Sequence, residues 1–152
     1  MSIFPTKILL ATDGSEEATL AARTAVDIAD KTNSELHVVY VGWLDYAYPR
    51  YVVPDFEYMQ QIQENVEQEA RKVLDAEVER VKAAGGGVVE AHLSMGSPEA
   101  EIVKLAEDIG AGLIVMGSRG LGGIRRALIG SVSDSVVRHA HCPVLVVREE
   151  EV

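Results

Sequence analysis

Short apolar runs alternate along the chain with longer segments in which apolar residues recur at every third or fourth position. A continuous apolar run bounded by turn residues is typical of a strand that is buried on both faces of a parallel sheet. We predict five strands from such runs: Lys7 to Thr12, Glu35 to Val41, Val88 to Met95, Gly112 to Met116 and Pro143 to Val147.

The segments between these runs have the spacing of amphipathic helices. Four helices are predicted: Glu16 to about Thr32, about Glu57 to Ala84, Pro98 to about Ile109, and Ser131 to His139. Ser15 and Ser97 suit the N-caps of the first and third helices. A stripe of alanines would let the first helix lie close on a sheet: Ala18, Ala22, Ala25 and Ala29. The apolar stripe of the long second helix is interpreted as core packing alone.

Strands that alternate with helices pair in parallel and carry helices on both faces of the sheet. Crossovers are right-handed, so placing strand 1 beside strand 4 predicts a five-stranded, doubly wound, Rossmann-like α/β sheet of order 3-2-1-4-5. We expect one domain over residues 1–152. Connections leave strands 1 and 4 in opposite directions, which predicts a ligand crevice at their carboxyl ends. The loops facing it would be Asp13 to Ser15 and Gly117 to Ser131.

The charge balance is strongly acidic, with 14 Lys and Arg against 24 Asp and Glu and a net charge of −10. A surface of that sign repels nucleic acids and anionic membranes, so neither is an expected partner. The start of the chain has no secretory pattern, and no apolar run approaches the ~18 residues of a membrane span. A cytoplasmic location is therefore expected. Cys142 is the only cysteine, which excludes an intrachain disulfide.

A glycine-rich loop between Gly117 and Ser131 is the segment with the clearest chemistry. Its five glycines allow successive amides to point into one concavity, and the helix that starts at Ser131 adds a positive dipole end. Asp134 stands at capping-box spacing from Ser131. Three of the 14 basic residues of this acidic chain also lie in the loop, namely Arg119, Arg125 and Arg126. These features predict an anion site, although a flexible turn with solvated arginines is the alternative.

Other phosphate and catalytic motifs are absent from the sequence. There is no Gly-Lys-Ser/Thr, and no G-x-G-x-x-G follows the first strand. No Ser-His-Asp, Cys-His or paired-carboxylate arrangement can be argued from spacing. Fast catalysis is not indicated, whereas slow hydrolysis of a bound nucleotide stays open.

The spacing Gly117-x-x-Gly120-x(9)-Gly130-Ser131 resembles the ATP-binding signature of the universal stress protein family. The opening Lys7-Ile-Leu-Leu-Ala-Thr-Asp-Gly-Ser15 and the closing His139-Ala-His-Cys-Pro-Val-Leu-Val-Val-Arg148 resemble the two ends of that family. The likeness extends over nearly the whole chain. It implies a fold like that of the adenine nucleotide alpha hydrolases, and membership of the ATP-binding branch, because every position of the glycine signature is present.

The resemblance also implies which residues hold the nucleotide. Asp13 would sit beside the ribose or beside a Mg²⁺ or Mn²⁺ ion on the phosphates, and Val41 would offer backbone groups to the adenine. The remaining nucleotide contacts are expected from Thr12, Met116, Gly117, Arg119, Gly120, Gly130, Ser131, Val132 and Ser133. The family further implies a two-fold homodimer through the fifth strand, an apolar edge made of Pro143, Val144, Leu145, Val146 and Val147.

Several of these features also have simpler interpretations. Asp13 fits an ordinary Asp-Gly-Ser turn. His139, His141 and Cys142 lack a fourth metal ligand nearby and lie at a helix end where histidine is favourable, so a structural role is predicted. His37 and His92 are interpreted as packing or surface residues. The aromatic stretch from Trp43 to Tyr51 has three interpretations: a lid over the adenine, a surface for a partner, or a cover for the core.

Three functions follow from these patterns together with the family resemblance. The first is a binding module whose ATP occupancy signals a state in the stress response to an unknown protein partner. The second is an enzyme, a slow ATPase or nucleotidyl transferase that uses Asp13 and a divalent ion. The third is a scaffold, or a module that binds AMP or cyclic AMP instead.

Overall fold

The computed structural model describes residues 2–15, 18–43, 55–118 and 130–148. The strands are β1 (Lys7–Thr12), β2 (Glu35–Gly42), β3 (Val88–Met95), β4 (Leu113–Gly117) and β5 (Val144–Val147). The helices are α1 (Ala18–Thr32), α2 (Phe56–Ala83), α3 (Pro98–Ile109) and α4 (Ser131–His139). The predicted boundaries agree to within one residue, except that the predicted start of α1 at Glu16 lies outside the described residues.

All five strands are parallel and lie in the order β3-β2-β1-β4-β5, which confirms the predicted topology. β1 therefore pairs with both β2 and β4, with Leu9 opposite His37 on one side and Ile114 on the other. The chain leaves β1 toward one flank of the sheet and leaves β4 toward the other. This arrangement creates a topological switch point between the two strands.

Two apolar cores cover the two faces of the sheet. On one face, α1 and α2 pack Ala22, Leu74 and Val81 against Ile8 and the other inward residues of that core. The predicted alanine stripe of α1 is buried, which lets the helix lie close on the sheet: Ala22, Ala25 and Ala29 belong to this core, and Ala18 is buried at the start of the helix. On the other face, α3 and α4 contribute Ile102, Ala106 and Val136. In the described part of the chain, no helix combines the length and apolarity needed to cross a membrane.

Helix α4 begins at Ser131 as predicted, but its capping differs from the prediction. Gly130, rather than Ser131, occupies the N-cap, and no side chain caps the helix there. The predicted capping box between Ser131 and Asp134 is therefore absent, because Ser131 is already a helical residue. The Asp134 carboxylate instead lies 3.1 Å from Nε of Arg138, one turn further along α4.

Candidate functional site

A cavity of about 420 Å³ opens at the carboxyl ends of β1, β2 and β4, at the place where the strand order predicts a ligand crevice. This volume lies within the ~300–1,000 Å³ that is usual for small-molecule sites. The two strand ends at the switch point provide Asp13 and Gly117, and the first turn of α4 forms the opposite wall. Side chains from both faces of the sheet thus meet at one concave surface.

The structure brings nine of the predicted site residues to this cavity. They are Thr12, Asp13, Val41, Met116, Gly117, Gly130, Ser131, Val132 and Ser133. Arg119 and Gly120 lie outside the described residues, as do Arg125 and Arg126. The described walls consequently contain the strand ends and the helix start, but not the basic part of the glycine-rich loop.

Seven further residues line the cavity and were not among the predicted nucleotide contacts: Ala11, Ala18, Tyr40, Trp43, Pro98, Ile102 and Ser118. Most of them belong to apolar stripes or strands that indicate core by their spacing. There are two exceptions: Ser118 lies in the loop that is predicted to face the crevice, and Trp43 opens the aromatic stretch for which a lid is one interpretation. Its position on the wall favours that interpretation, while residues 44–54 lie outside the described residues.

The cavity wall is apolar where β2, β4 and α3 meet. Val41, Met116 and Ile102 are buried, whereas Trp43 at the rim is 68% exposed. Tyr40 is half-buried beside them. The pKa of its hydroxyl is raised, mainly by burial and to a smaller extent by the Asp13 charge. An apolar slot with a few polar groups at its border suits a flat heterocycle.

The polar side of the cavity is the first turn of α4. The first amides of a helix have no intrahelical acceptor, so those of Ser131, Val132 and Ser133 are available to a ligand. α4 is nine residues long, and its dipole places partial positive charge at this end. The arrangement is suited to an anion such as a phosphate.

The backbone next to this turn is held by two hydrogen bonds. One joins the two ends of the glycine-rich loop, and the other joins the loop to β5. The Gly130 amide donates to the Ser118 carbonyl at 2.6 Å, and the Ser118 amide donates to the Val147 carbonyl at 2.9 Å. Ser133 is buried, and its hydroxyl lies 3.2 Å from the Ser118 carbonyl and 3.0 Å from the Gly130 carbonyl. Ser133 therefore offers a ligand its amide, while its hydroxyl braces the loop ends.

Asp13 is the centre of a tight turn at the end of β1. Gly14 has φ +80°, and the Ser15 amide donates to Oδ1 of Asp13 at 2.9 Å. The Ser15 hydroxyl donates to the same oxygen. The turn interpretation of Asp13 is thus confirmed, and the same turn fixes its carboxylate at the cavity wall.

A buried glutamate on α2 lies beside this turn. The Glu77 side chain is 2% exposed, and its Oε1 lies 3.0 Å from Nη1 of Arg80. Burial raises the pKa of Glu77, the Arg80 charge and the Thr12 hydroxyl lower it, and the Asp13 charge raises it further. The interpretation of the α2 stripe as core alone was incomplete. Glu77 continues the helical spacing of Leu74 and Val81, a signal available in the sequence.

The residues at the end of α4 fit the structural role predicted for them. Nδ1 of His139 lies 2.8 Å from the Ser135 carbonyl, one turn earlier in the helix. Cys142 is half-buried, and burial raises the pKa of its thiol. A thiol that is held protonated is a poor metal ligand.

The sequence model of the universal stress protein family matches residues 5–148. A curated Staphylococcus haemolyticus protein assigned to the universal stress proteins is 40% identical over 147 residues, which cover 95% of this chain and 86% of that protein. The universal stress protein UspA from Lactobacillus plantarum is 30% identical with a TM-score of 0.80, covering 97% of this chain and 100% of its own. A solved universal stress protein in complex with cAMP is 27% identical with a TM-score of 0.63, covering 96% of this chain and 98% of its own. The family match and these similarities along almost the whole chain show that it belongs to the universal stress protein family.

Proposed function

We propose that this chain binds ATP in the cavity at the switch point, and that nucleotide occupancy is a signal read by a protein partner in the stress response. The observation that carries the proposal is the uncapped first turn of α4, whose residues line a cavity that also has an apolar slot. A phosphate chain and an adenine need these two environments side by side.

The phosphates would lie against the amides of Ser131, Val132 and Ser133. Gly117 and Gly130, at the two ends of the glycine-rich loop, let the backbone approach the ligand closely. Arg119 and Gly120 would complete the site from within the loop. Positive charge there would attract an anion to a chain whose net charge is −10.

The adenine would occupy the slot between Val41, Ile102 and Met116. The backbone of Val41 would supply polar contacts at the end of β2, and Trp43 would cover the base at the rim. The solved family member in complex with cAMP supports an adenine nucleotide as the ligand class. ATP is preferred over AMP or cAMP here because the complete glycine signature resembles that of the ATP-binding branch of the family, and Arg119 lies between its first two glycines.

The Asp13 carboxylate would face the phosphates and could bind a Mg²⁺ or Mn²⁺ ion that they hold. Carboxylate oxygens are ligands that these ions prefer. Oδ1 of Asp13 is already held by Ser15, which orients the carboxylate without a metal. Among the described cavity residues, no nucleophile is positioned beside a general base. We therefore propose that the chain binds the nucleotide without rapid turnover. Slow ATP hydrolysis or nucleotidyl transfer is the alternative, and product formation over many turnovers with Mg²⁺ or Mn²⁺ would reveal it.

The chain would act as a single cytoplasmic domain over residues 1–152 and as a homodimer. β5 lies at one edge of the sheet, and its four residues are all apolar and half-buried. Such an edge can pair with the same strand of a second copy about a two-fold axis. We infer the cytoplasmic location from the sequence and the homodimer from the sequence and the family resemblance.

Analysis of small molecules released from the purified, denatured chain tests the nucleotide proposal, together with calorimetric titration of ATP, AMP and cAMP. ATP should be the tightest of the three ligands. Gly130→Val should abolish binding by filling the wall beside the first turn of α4. Gly87→Val is the matched control, because a β-carbon at Gly87 meets no heavy atom within 4 Å. Absence of any adenine nucleotide in the extract and in the titration would overturn the proposal.

A further inference from the structure

Two histidines that sequence reasoning assigned to packing or surface roles meet on the face of the sheet covered by α3 and α4. β2 and β3 change register between Leu36 and His37, so that Leu36 pairs with Val88 but His37 pairs with Glu90. The extra residue, Val89, is 60% exposed. A bulge of this kind re-aims the side chains that follow it. It turns Glu90 and His92 to the same face as His37.

The two imidazoles lie edge to edge in a nearly coplanar arrangement. Nδ1 of His37 is 3.1 Å from Nε2 of His92, and the ring planes differ by 20°. Nε2 of His37 lies 3.2 Å from Oε2 of Glu35. The Glu35 carboxylate accepts only, so the proton of neutral His37 resides on Nε2 and the Nδ1 lone pair points at His92.

A carboxylate completes the group. Oε2 of Glu90 lies 3.9 Å from Nε2 of His92, and the ligand atoms of His37, Glu90 and His92 all lie within 4.8 Å of one another. The His37 and His92 side chains are 5% and 14% exposed, whereas that of Glu90 is 63% exposed. Two ring nitrogens are thus fixed by packing, and the carboxylate can rotate toward them.

We propose that His37 Nδ1, His92 Nε2 and the Glu90 carboxylate bind one divalent transition-metal ion of the Zn²⁺ type, with Glu35 orienting His37. Zinc–nitrogen bonds are ~2.0–2.1 Å, so two nitrogens on one tetrahedral ion lie about 3.3 Å apart. The observed separation of 3.1 Å is close to that value. Glu35 then plays the part of the carboxylate that fixes the tautomer of a ligating histidine.

The site is distinct from the proposed nucleotide cavity. His37 stands four residues before Val41 along β2, which corresponds to ~13 Å in a strand. The cluster therefore lies toward the amino end of β2, while the cavity lies at its carboxyl end. A fourth position on the ion would be open to water on the side of exposed Glu90. Metal binding does not depend on the nucleotide proposal.

With His37 in that tautomer, the 3.1 Å contact in the metal-free chain requires His92 to donate from its Nε2–H to Nδ1 of His37. Binding an ion requires His92 to move this proton to Nδ1, which frees the Nε2 lone pair. The competing explanation of the cluster is a hydrogen-bonded histidine pair that never holds a metal. The ¹⁵N shifts of the imidazoles distinguish the two tautomers of His92 directly.

The experiment is a calorimetric titration of Zn²⁺ into the untagged, full-length chain after chelator treatment, with Co²⁺ absorption as an optical readout. We expect one ion per chain and a tetrahedral Co²⁺ spectrum. Glu90→Gln and His92→Gln should remove both signals, and Glu35→Gln should weaken the affinity by ~10–100-fold. His141→Gln is the control, because His141 is an exposed histidine outside the cluster.

Glu90 is exposed, so its substitution tests the site even if His92→Gln disturbs folding. Circular dichroism of each variant checks this. A chain that binds no Zn²⁺, or whose Zn²⁺ affinity is unchanged in both Glu90→Gln and His92→Gln, would show a hydrogen-bonded pair only and overturn the proposal.

Discussion

The Arg80 guanidinium on α2 donates a hydrogen bond of 2.9 Å to the carbonyl of Ser15, which lies in the turn that follows β1. The same nitrogen, Nη1, lies 3.0 Å from Oε1 of buried Glu77. Oε2 of Glu77 has no hydrogen-bond partner among the described residues. Arg80 thus ties α2 to the turn that positions Asp13, at the cost of burying a carboxyl group.

The first prediction concerns Glu77 and pH. Its pKa is raised above the ordinary 4.5, mainly by burial. A carboxyl group with a raised folded-state pKa favours folding below its unfolded pKa, and this contribution is lost as pH rises through the folded pKa. Glu77→Gln removes the titration. The free energy of unfolding of the variant should therefore rise relative to wild type from about pH 4 upward and level off above the folded pKa.

Urea denaturation at a series of pH values measures this difference. Glu79→Gln is the matched control, since the Glu79 side chain is 75% exposed two residues along the same helix. A Glu77→Gln difference that stays constant with pH, or shrinks as pH rises, contradicts the assigned burial effect.

The second prediction concerns the turn at Gly14. A β-carbon there would lie 2.9 Å from Cγ1 of Val73, and the residue has φ +80°. Gly85 has φ +92° but meets no heavy atom within 4 Å. Both alanine variants share a backbone strain of about 1–3 kcal/mol. Gly14→Ala should lose more stability than Gly85→Ala, because the added methyl also clashes.

Chemical denaturation of the two variants provides the comparison, and Gly14→Ala combined with Val73→Ala should recover part of the extra loss. Only the Gly14 variants should weaken nucleotide binding, because that turn carries Asp13. Equal losses for Gly14→Ala and Gly85→Ala would show that packing against Val73 is unimportant.

The third prediction concerns the brace at the glycine-rich loop. Ser133→Ala removes a buried hydroxyl that bonds the carbonyls of Ser118 and Gly130. It should cost about 0.5–1.5 kcal/mol in the free energy of unfolding. It should also weaken nucleotide binding, because the first turn of α4 loses its support. Ser135→Ala, two residues further on the same helix and half-exposed, should change stability by less than about 0.5 kcal/mol.

Thermal unfolding and nucleotide titration of both variants measure these effects. If Ser133→Ala binds nucleotide as wild type does, its hydroxyl has no part in shaping the cavity.

The fourth prediction concerns the proposed dimer. The Pro143 carbonyl accepts from the Ile114 amide of β4, and the Val147 carbonyl accepts from the Ser118 amide just after β4. Alternation along the strand therefore turns the backbone groups of Leu145 toward β4 and those of Val146 outward. Val146→Pro should therefore remove an outward amide and abolish the dimer while keeping the sheet intact. Leu145→Pro should instead destabilise the fold, because it removes a bond to β4.

Light scattering gives the mass of each variant, and circular dichroism its fold. A folded Val146→Pro chain that remains dimeric would place the dimer interface elsewhere than at β5.

Local patterns were sufficient to predict the elements of this fold. Most of the strands are apolar runs, β3 mixes apolar and polar residues, and each helix has an apolar stripe. These patterns depend on residues close together in the sequence. The sheet order then followed once strand 1 was placed beside strand 4, because right-handed crossovers leave few ways to connect alternating strands and helices. The strand ends at Asp13 and Gly117 could be placed at one crevice for the same reason.

Where sequence reasoning failed, contacts between distant elements were responsible. In the sequence, Pro98 looks like an ordinary helix start and Ile102 like part of an apolar stripe. Only the packing of α3 places them on the cavity wall. Glu77 was hidden within an apolar stripe, although its own spacing was a clue. Gly130 occupies the N-cap of α4 in place of Ser131, and its amide donates to the Ser118 carbonyl at the other end of the loop.

By itself, then, the sequence determined the strands and helices, the order of the sheet and the position of the crevice, since these depend on short-range periodicity and chain connectivity. The tertiary structure alone decided which side chains meet. A register change of one residue turns His92 toward His37, 55 positions away in the chain, and no local pattern encodes that displacement.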